Sequence, residues 1–235
     1  MSTYVLVPGA WLGGFAWERV VPALLDAGHD VRPVTLPGLG NRADEAAERE
    51  IGLQDHVDDL VRLVQGQDLT DVVLVGHSYS GIPTSLAALA LGDRVRRLVL
   101  VDANVPEAGR PFVSDGFRAR LQEALDANGG MWPPLGHDDL QDQDLAHEDV
   151  HFFEDWAKPH PGRTLTDPVR DDAGLADDLR ALPTLYVTCL EDGDEPSPAV
   201  AALLGSPHWR LATLDTGHWP MWSAPDALAA LLLEG

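Results

Sequence analysis

The sequence predicts an α/β protein, with a mostly parallel sheet of at least six strands flanked by helices and one long helical insertion. Three observations carry this. Short apolar, β-branched runs alternate with helix-period patterns along most of the 235 residues, the rhythm of a parallel sheet whose crossovers are helices. One run breaks into Gly76-His77-Ser78-Tyr79-Ser80-Gly81, a sharp strand-to-helix turn built from small residues. The rhythm then lapses between about Asn104 and Leu182, a span too long for a simple crossover.

Tyr4 to Val7 is the first strand, followed by a helical stretch from about Ala16 to Ala27 that Gly28 closes, since glycine accepts the left-handed conformation that ends helices. Val31 to Leu36 is the second strand. Leu53 to Val64 carries apolar residues at 53, 57, 60, 61 and 64, one face of a helix. Val72 to Val75 is the third strand, Ile82 to Leu91 the helix behind the turn, and Val95 to Val101 the fourth strand. Thr184 to Cys189 and Trp209 to Leu214 supply the last two, and Pro225 to Leu233 is the closing helix. The insertion, 104–182, is rich in Asp, Pro, Gly and Trp and includes Trp132-Pro133-Pro134, Phe152-Phe153 and Trp156. It reads as a cap of short helices folded over the strand ends, within a single domain of residues 1–235.

Composition narrows the partners. Sixteen Lys plus Arg against 38 Asp plus Glu leave a net charge of −22, a field that repels nucleic acid and anionic membranes. Cys189 is the only cysteine, which excludes an intramolecular disulfide and a cysteine-based metal cluster. It ends an apolar run and reads as a buried structural thiol. No cationic, apolar leader opens the sequence and no apolar run is long enough to span a bilayer, so the expectation is a soluble, cytoplasmic protein.

The turn at Ser78 pushes a hydroxyl out above the end of the sheet, where a substrate can reach it. Gly76 and Ser80 must be small, because larger side chains would collide across the turn. A serine hydroxyl is a poor nucleophile at neutral pH and needs a base, itself oriented by a third group. His218, in Thr216-Gly217-His218-Trp219 after the last strand, sits on the same carboxyl rim of the sheet as Ser78. His77 is adjacent in the chain but its side chain points elsewhere, and His29 and His56 read as surface or packing residues. The orienting acid follows a strand on that rim. Leu190-Glu191-Asp192-Gly193-Asp194-Glu195 offers four carboxylates, and Asp102, directly after the fourth strand, competes with them. Asp215 is too close to His218 in the chain. Two backbone donors complete the set: the N–H of Tyr79, and one from Pro8-Gly9-Ala10-Trp11-Leu12-Gly13-Gly14 after the first strand, where glycine lets the backbone approach a substrate closely.

With these motifs in hand, the chain resembles the α/β-hydrolase fold family, in the branch of plant methylesterases, hydroxynitrile lyases and small bacterial esterases. The likeness rests on Val7-Pro8-Gly9-Ala10-Trp11, Ala27-Gly28-His29-Asp30-Val31, Gly76-His77-Ser78-Tyr79, Cys189-Leu190-Glu191-Asp192 and Gly217-His218-Trp219-Pro220-Met221, in order along nearly the whole chain. The resemblance implies Ser78 as nucleophile, His218 as base, Asp192 as acid, and the N–H groups of Ala10 and Tyr79 as oxyanion donors. It implies no cofactor and a small-molecule ester as substrate. Hydroxynitrile lyases have a lysine after the catalytic histidine and a threonine before the oxyanion-loop donor. This chain has Trp219 and Gly9 there, which favours ester hydrolysis over cyanohydrin cleavage. A lyase, a carbon–carbon hydrolase, a thioesterase, a metabolite cyclase and an inactive binding protein are the alternatives on the same scaffold. The aromatic residues predict a largely apolar pocket, with Trp11, Tyr79 and Trp219 as substrate contacts.

His147-Glu148-Asp149-Val150-His151 matches the H-E-x-x-H pattern of zinc hydrolases. The pattern is short, lies in the insertion, and has Ala157 where a metzincin's third histidine would stand. A solvated acidic helix with no metal is the expectation.

Overall fold

The computed structural model describes residues 1–234 except Asp192 and Asp194, with Asp115 described by its backbone alone. Eight strands appear in it: β1 (Thr3–Val7), β2 (Asp30–Pro33), β3 (Val72–His77), β4 (Val95–Val101), β5 (Met131–Trp132), β6 (His160–Pro161), β7 (Thr184–Cys189) and β8 (Trp209–Leu214). Six of them form one parallel sheet in the order β2-β1-β3-β4-β7-β8. All six correspond to the runs expected from the sequence. The central strands β3 and β7 are buried at every position, which is why they read as continuous apolar runs rather than alternating ones.

The helices are α1 (Val21–Asp26), α2 (Glu45–Glu48), α3 (Leu53–Gly66), α4 (Gly81–Leu91), α5 (Asp115–Ala127), α6 (His147–Trp156), α7 (Arg163–Thr166), α8 (Leu175–Ala181), α9 (Pro198–Leu204), α10 (Pro220–Ser223) and α11 (Pro225–Leu233). One expectation needs correcting. The helix read from Ala16 to Ala27 is a short 3₁₀ turn, Gly14–Trp17, followed by α1 starting at Val21. Pro22 explains the break, because it has no N–H for a continuing helix and fits best in a first turn.

Register sets the height of everything at the rim. Val7 pairs with Gly76, and His77 pairs with Val101, so β1, β3 and β4 end level with one another. The residues that follow them, Gly9 to Trp11, Ser78 and Asp102, therefore emerge side by side. The segment between β4 and β7 holds α5 to α8 and a two-stranded antiparallel ribbon pairing Met131 with Pro161 and Trp132 with His160. It is anchored to the rest of the chain by Asp149 on α6, a buried carboxylate 2.5 Å from the Arg19 guanidinium. Arg19 also donates to the Trp222 carbonyl on α10.

Candidate active site

Three residues at the rim have positive φ without being glycine: Trp11 at 66°, Ser78 at 53° and Asp102 at 44°. Such conformations cost a non-glycine residue of order 1–3 kcal/mol and persist where the surroundings over-determine them. Here the surroundings are specific. At Gly76 an added Cβ would lie 2.8 Å from Thr84 Oγ1, and at Gly9 it would lie 2.8 Å from both His77 Nδ1 and Ser78 Cβ. Both glycines are needed so that the loop after β1, the turn and α4 can approach this closely.

Ser80, which stands where a glycine is usual, is a tie rather than a defect. Its buried hydroxyl accepts the His77 N–H at 2.9 Å and lies 2.8 Å from both the Val7 and His77 carbonyls. The turn is thereby stitched to the end of β1.

The Ser78 hydroxyl lies 2.9 Å from His218 Nε2, and His218 Nδ1 lies 2.6 Å from Asp102 Oδ2. The other carboxylate oxygen of Asp102 accepts the Cys189 N–H at 3.4 Å, which fixes its plane. The imidazole side chain is 20% exposed and the carboxylate 13%, so both are shielded but reachable. Asp192, the acid implied by the family resemblance, lies outside the described residues. The carboxylate found on His218 is that of Asp102, the competitor that chain order left open. Asp102 lies on Nδ1 and Ser78 on Nε2 of His218. Asp102 reaches because β4 is hydrogen-bonded directly to β3 and ends at the same height.

Ala10 lines the cavity with Ser78, and Tyr79 follows Ser78 in the turn. The neighbouring amides are committed elsewhere: Gly9 N–H to His77 Nδ1 at 3.2 Å, and Trp11 N–H to His160 Nδ1 at 3.3 Å. His77 also donates from Nε2 to the His218 carbonyl at 2.7 Å. It thus braces the loop after β1 against the histidine loop, a role that its sequence position alone did not reveal.

Ala10, Trp11, Ser78, Phe112, Trp132, Leu135, Asp139, Gln143, His218 and Trp219 enclose a cavity of about 310 Å³, within the range of small-ligand sites. Trp11 and Trp219 line it as expected. The Tyr79 side chain does not. It is fully buried behind the turn, with its hydroxyl 2.9 Å from His56 Nδ1 and its ring against Phe112 and His160. His56, read as a surface or packing residue, is fully buried; its Nε2 donates to the Pro37 carbonyl at 2.9 Å, and burial pushes its pKa down to about 4. Burial holds His160 well below the usual histidine value and raises Tyr79. These groups form a neutral hydrogen-bonded layer beneath the rim that carries Ser78 and His218.

Four lining residues, Phe112, Leu135, Asp139 and Gln143, come from the insertion and were not singled out from sequence. His147 and His151 of the H-E-x-x-H segment do meet, with Nε2 atoms 3.0 Å apart, and His151 Nδ1 contacts Glu154 at 3.1 Å. Among the described residues no group of three or more His, Cys, Asp or Glu side chains is arranged to hold a metal ion. Nor is any described helix long and apolar enough to cross a membrane.

Comparison with known proteins agrees with this geometry. Residues 4–231 match the family model described as the alpha/beta hydrolase family. The chain is 32% identical over 251 aligned positions to a carbendazim hydrolyzing esterase of Nocardioides sp. (strain SG-4G), covering 99% of this chain and 98% of that one. It is 29% identical to methylesterase 7 of Arabidopsis thaliana, covering 98% and 95% of the two chains. Among solved structures, an extracellular alpha/beta-hydrolase from a Paenibacillus species superposes with a TM-score of 0.83 at 21% identity, covering 99% and 98%. Sheet order, elbow, rim histidine and full-length match together establish that this chain belongs to the alpha/beta hydrolase family.

Proposed function

We propose that the protein hydrolyses a small, largely apolar carboxylic ester through an acyl-enzyme. The observation that carries this reading is the continuous hydrogen-bonded line Ser78–His218–Asp102, with steps of 2.9 and 2.6 Å, opening on an aromatic cavity. Relatives named as esterases and methylesterases, matched over nearly their full length, support the same reaction class.

In this mechanism the Ser78 oxygen attacks the ester carbonyl carbon while His218 Nε2 takes the hydroxyl proton. Asp102 holds the imidazole with Nδ1–H toward itself and stabilises the imidazolium that forms. The carbonyl oxygen becomes an oxyanion received by the Ala10 and Tyr79 N–H groups, pre-aimed donors of the kind worth roughly 3–4 kcal/mol each in the transition state. His218 then returns its proton to the leaving alkoxide, which departs as alcohol. Water, deprotonated by the same nitrogen, attacks the acyl-enzyme and releases the acid. Trp11, Phe112, Trp132, Leu135 and Trp219 bury the apolar body of the substrate.

The test is product analysis with a methyl aryl ester, the matching thioester and a cyanohydrin. Release of acid and methanol from the ester, with no aldehyde from the cyanohydrin, is the expected result. Turnover of the cyanohydrin alone would overturn ester hydrolysis in favour of a lyase.

A further inference from the structure

Gln143, in the insertion, lines the cavity with a polar tip that is tied to the histidine loop. It sits between two left-handed residues, Asp142 at φ 61° and Asp144 at φ 53°, so the loop presents it in a defined pose. Its carboxamide oxygen accepts the His218 N–H at 2.9 Å. Gly217 packs its Cα so tightly against the Gln143 backbone that any side chain there would collide with the Gln143 carbonyl. Asp144 adds a second tie, accepting from the Thr216 hydroxyl at 3.2 Å. Thr216, Gly217 and His218 are thus each held by residues 143 and 144.

This lock decides which way the amide faces. A backbone N–H can only donate, so it must meet the oxygen of Gln143 and not the nitrogen. The NH₂ group is then on the other side, and it has no acceptor among the described residues. Gln143 is also one of the residues that line the cavity with Ser78 and His218. Asp139, another polar lining side chain, can only accept when ionised, and one of its oxygens already caps the Gly136 N–H at 3.0 Å. Among the aromatic walls, the Trp11 indole N–H is already used on the Trp132 carbonyl at 3.2 Å.

We propose that Gln143 is a specificity-determining residue whose amide NH₂ holds a hydrogen-bond acceptor on the substrate, a ring nitrogen or a second carbonyl oxygen beyond the scissile ester. This deepens the ester-hydrolase reading and rests on it. The preferred substrates are then flat aromatic esters carrying such an acceptor, rather than plain hydrocarbon esters. A site built to hydrogen-bond a substrate atom discriminates against the analogue that lacks it, because its own donor is left unpaired.

The test compares methyl benzoate with its three pyridine isosteres, methyl picolinate, nicotinate and isonicotinate, in wild type, Gln143→Glu and Gln143→Met. Glutamate keeps an oxygen for the His218 N–H but loses the NH₂ donor, and methionine loses both. Each kcat/KM is divided by that ester's rate with hydroxide to remove intrinsic reactivity. Wild type is expected to favour at least one pyridine ester over benzoate by roughly three- to tenfold, a neutral hydrogen bond's worth. Both variants should lose that preference. A merely structural Gln143 would change all four esters by the same factor, and equal ratios in the three proteins would overturn the proposal. Calorimetric binding of the same esters to Ser78→Ala and Ser78→Ala/Gln143→Glu proteins gives the answer without turnover. Equal affinity differences there would overturn it too. Failure of wild type to hydrolyse any of the four would count against ester hydrolysis, and the binding comparison would still decide the role of Gln143.

Discussion

Asp102 Oδ2 lies 2.6 Å from His218 Nδ1 although the two residues are 116 positions apart and Asp102 follows β4, the immediate neighbour of the strand that carries the serine. Ser78 and Asp102 therefore hang from adjacent strands, while His218 arrives from the loop after β8. Asp102→Asn should lower kcat for a methyl ester by on the order of 10⁴, because an amide cannot hold the imidazole tautomer or stabilise its charge. The same change at Asp192 should cost far less. Side-by-side steady-state kinetics of the two variants decides between the acids, and a larger loss at Asp192 would return the role to it.

Gly9 admits the loop after β1, the proposed oxyanion loop, to within contact of Ser78. Gly9→Ala places a methyl group 2.8 Å from Ser78 Cβ and His77 Nδ1, so the loop must retreat and take the Ala10 N–H with it. A displacement of this size costs roughly 10² in kcat, with KM little changed. A rise in KM at constant kcat would show instead that the loop binds substrate without stabilising the transition state.

Ser80 ties the elbow to β1 through a fully buried hydroxyl. In Ser80→Ala the His77 N–H loses its acceptor, which should reduce unfolding free energy by about 1–3 kcal/mol. Urea denaturation reads this as a lower midpoint at unchanged slope. A midpoint equal to wild type would mean that the turn holds without the tie.

His56 makes stability depend on pH. It is buried neutral, with its pKa lowered by burial from 6.5 to about 4, so between those values the unfolded chain binds a proton that the folded one does not. The stabilisation is present in full above about pH 6.5 and is lost as pH falls toward 4, amounting to about 3 kcal/mol across the window. His160 shifts in the same direction and steepens the effect. Urea midpoints should fall between pH 7 and 4.5, and fall less in His56→Gln. An identical slope in the variant would assign the acid sensitivity to other groups.

The sheet was legible from the sequence because its strands are buried on both faces and so form unbroken apolar runs between helix-period segments. Ser78 and His218 were legible because a turn of small residues and a rim histidine have few other uses. The acid was harder to read. A carboxylate after β4 and several after β7 all satisfy the chain order, and only the register of His77 with Val101 favours Asp102. Tyr79 was harder to read because, although it follows Ser78 in the chain, its side chain turns inward to His56 instead of lining the cavity. The walls from the insertion, Phe112, Leu135, Asp139 and Gln143, carried no readable signal. Their segment lacks a steady period, and their positions follow from packing against the loops of Trp11 and His218.

Whether Ser78 is a competent nucleophile is read most directly from the intact mass of the protein after treatment with a fluorophosphonate. Acyl transfer through Ser78 predicts a single phosphonyl adduct that maps to Ser78, that a competing ester slows, and that disappears in folded Ser78→Ala and His218→Ala proteins. An unmodified wild-type protein that still hydrolyses esters, or an equal adduct in Ser78→Ala, would contradict it.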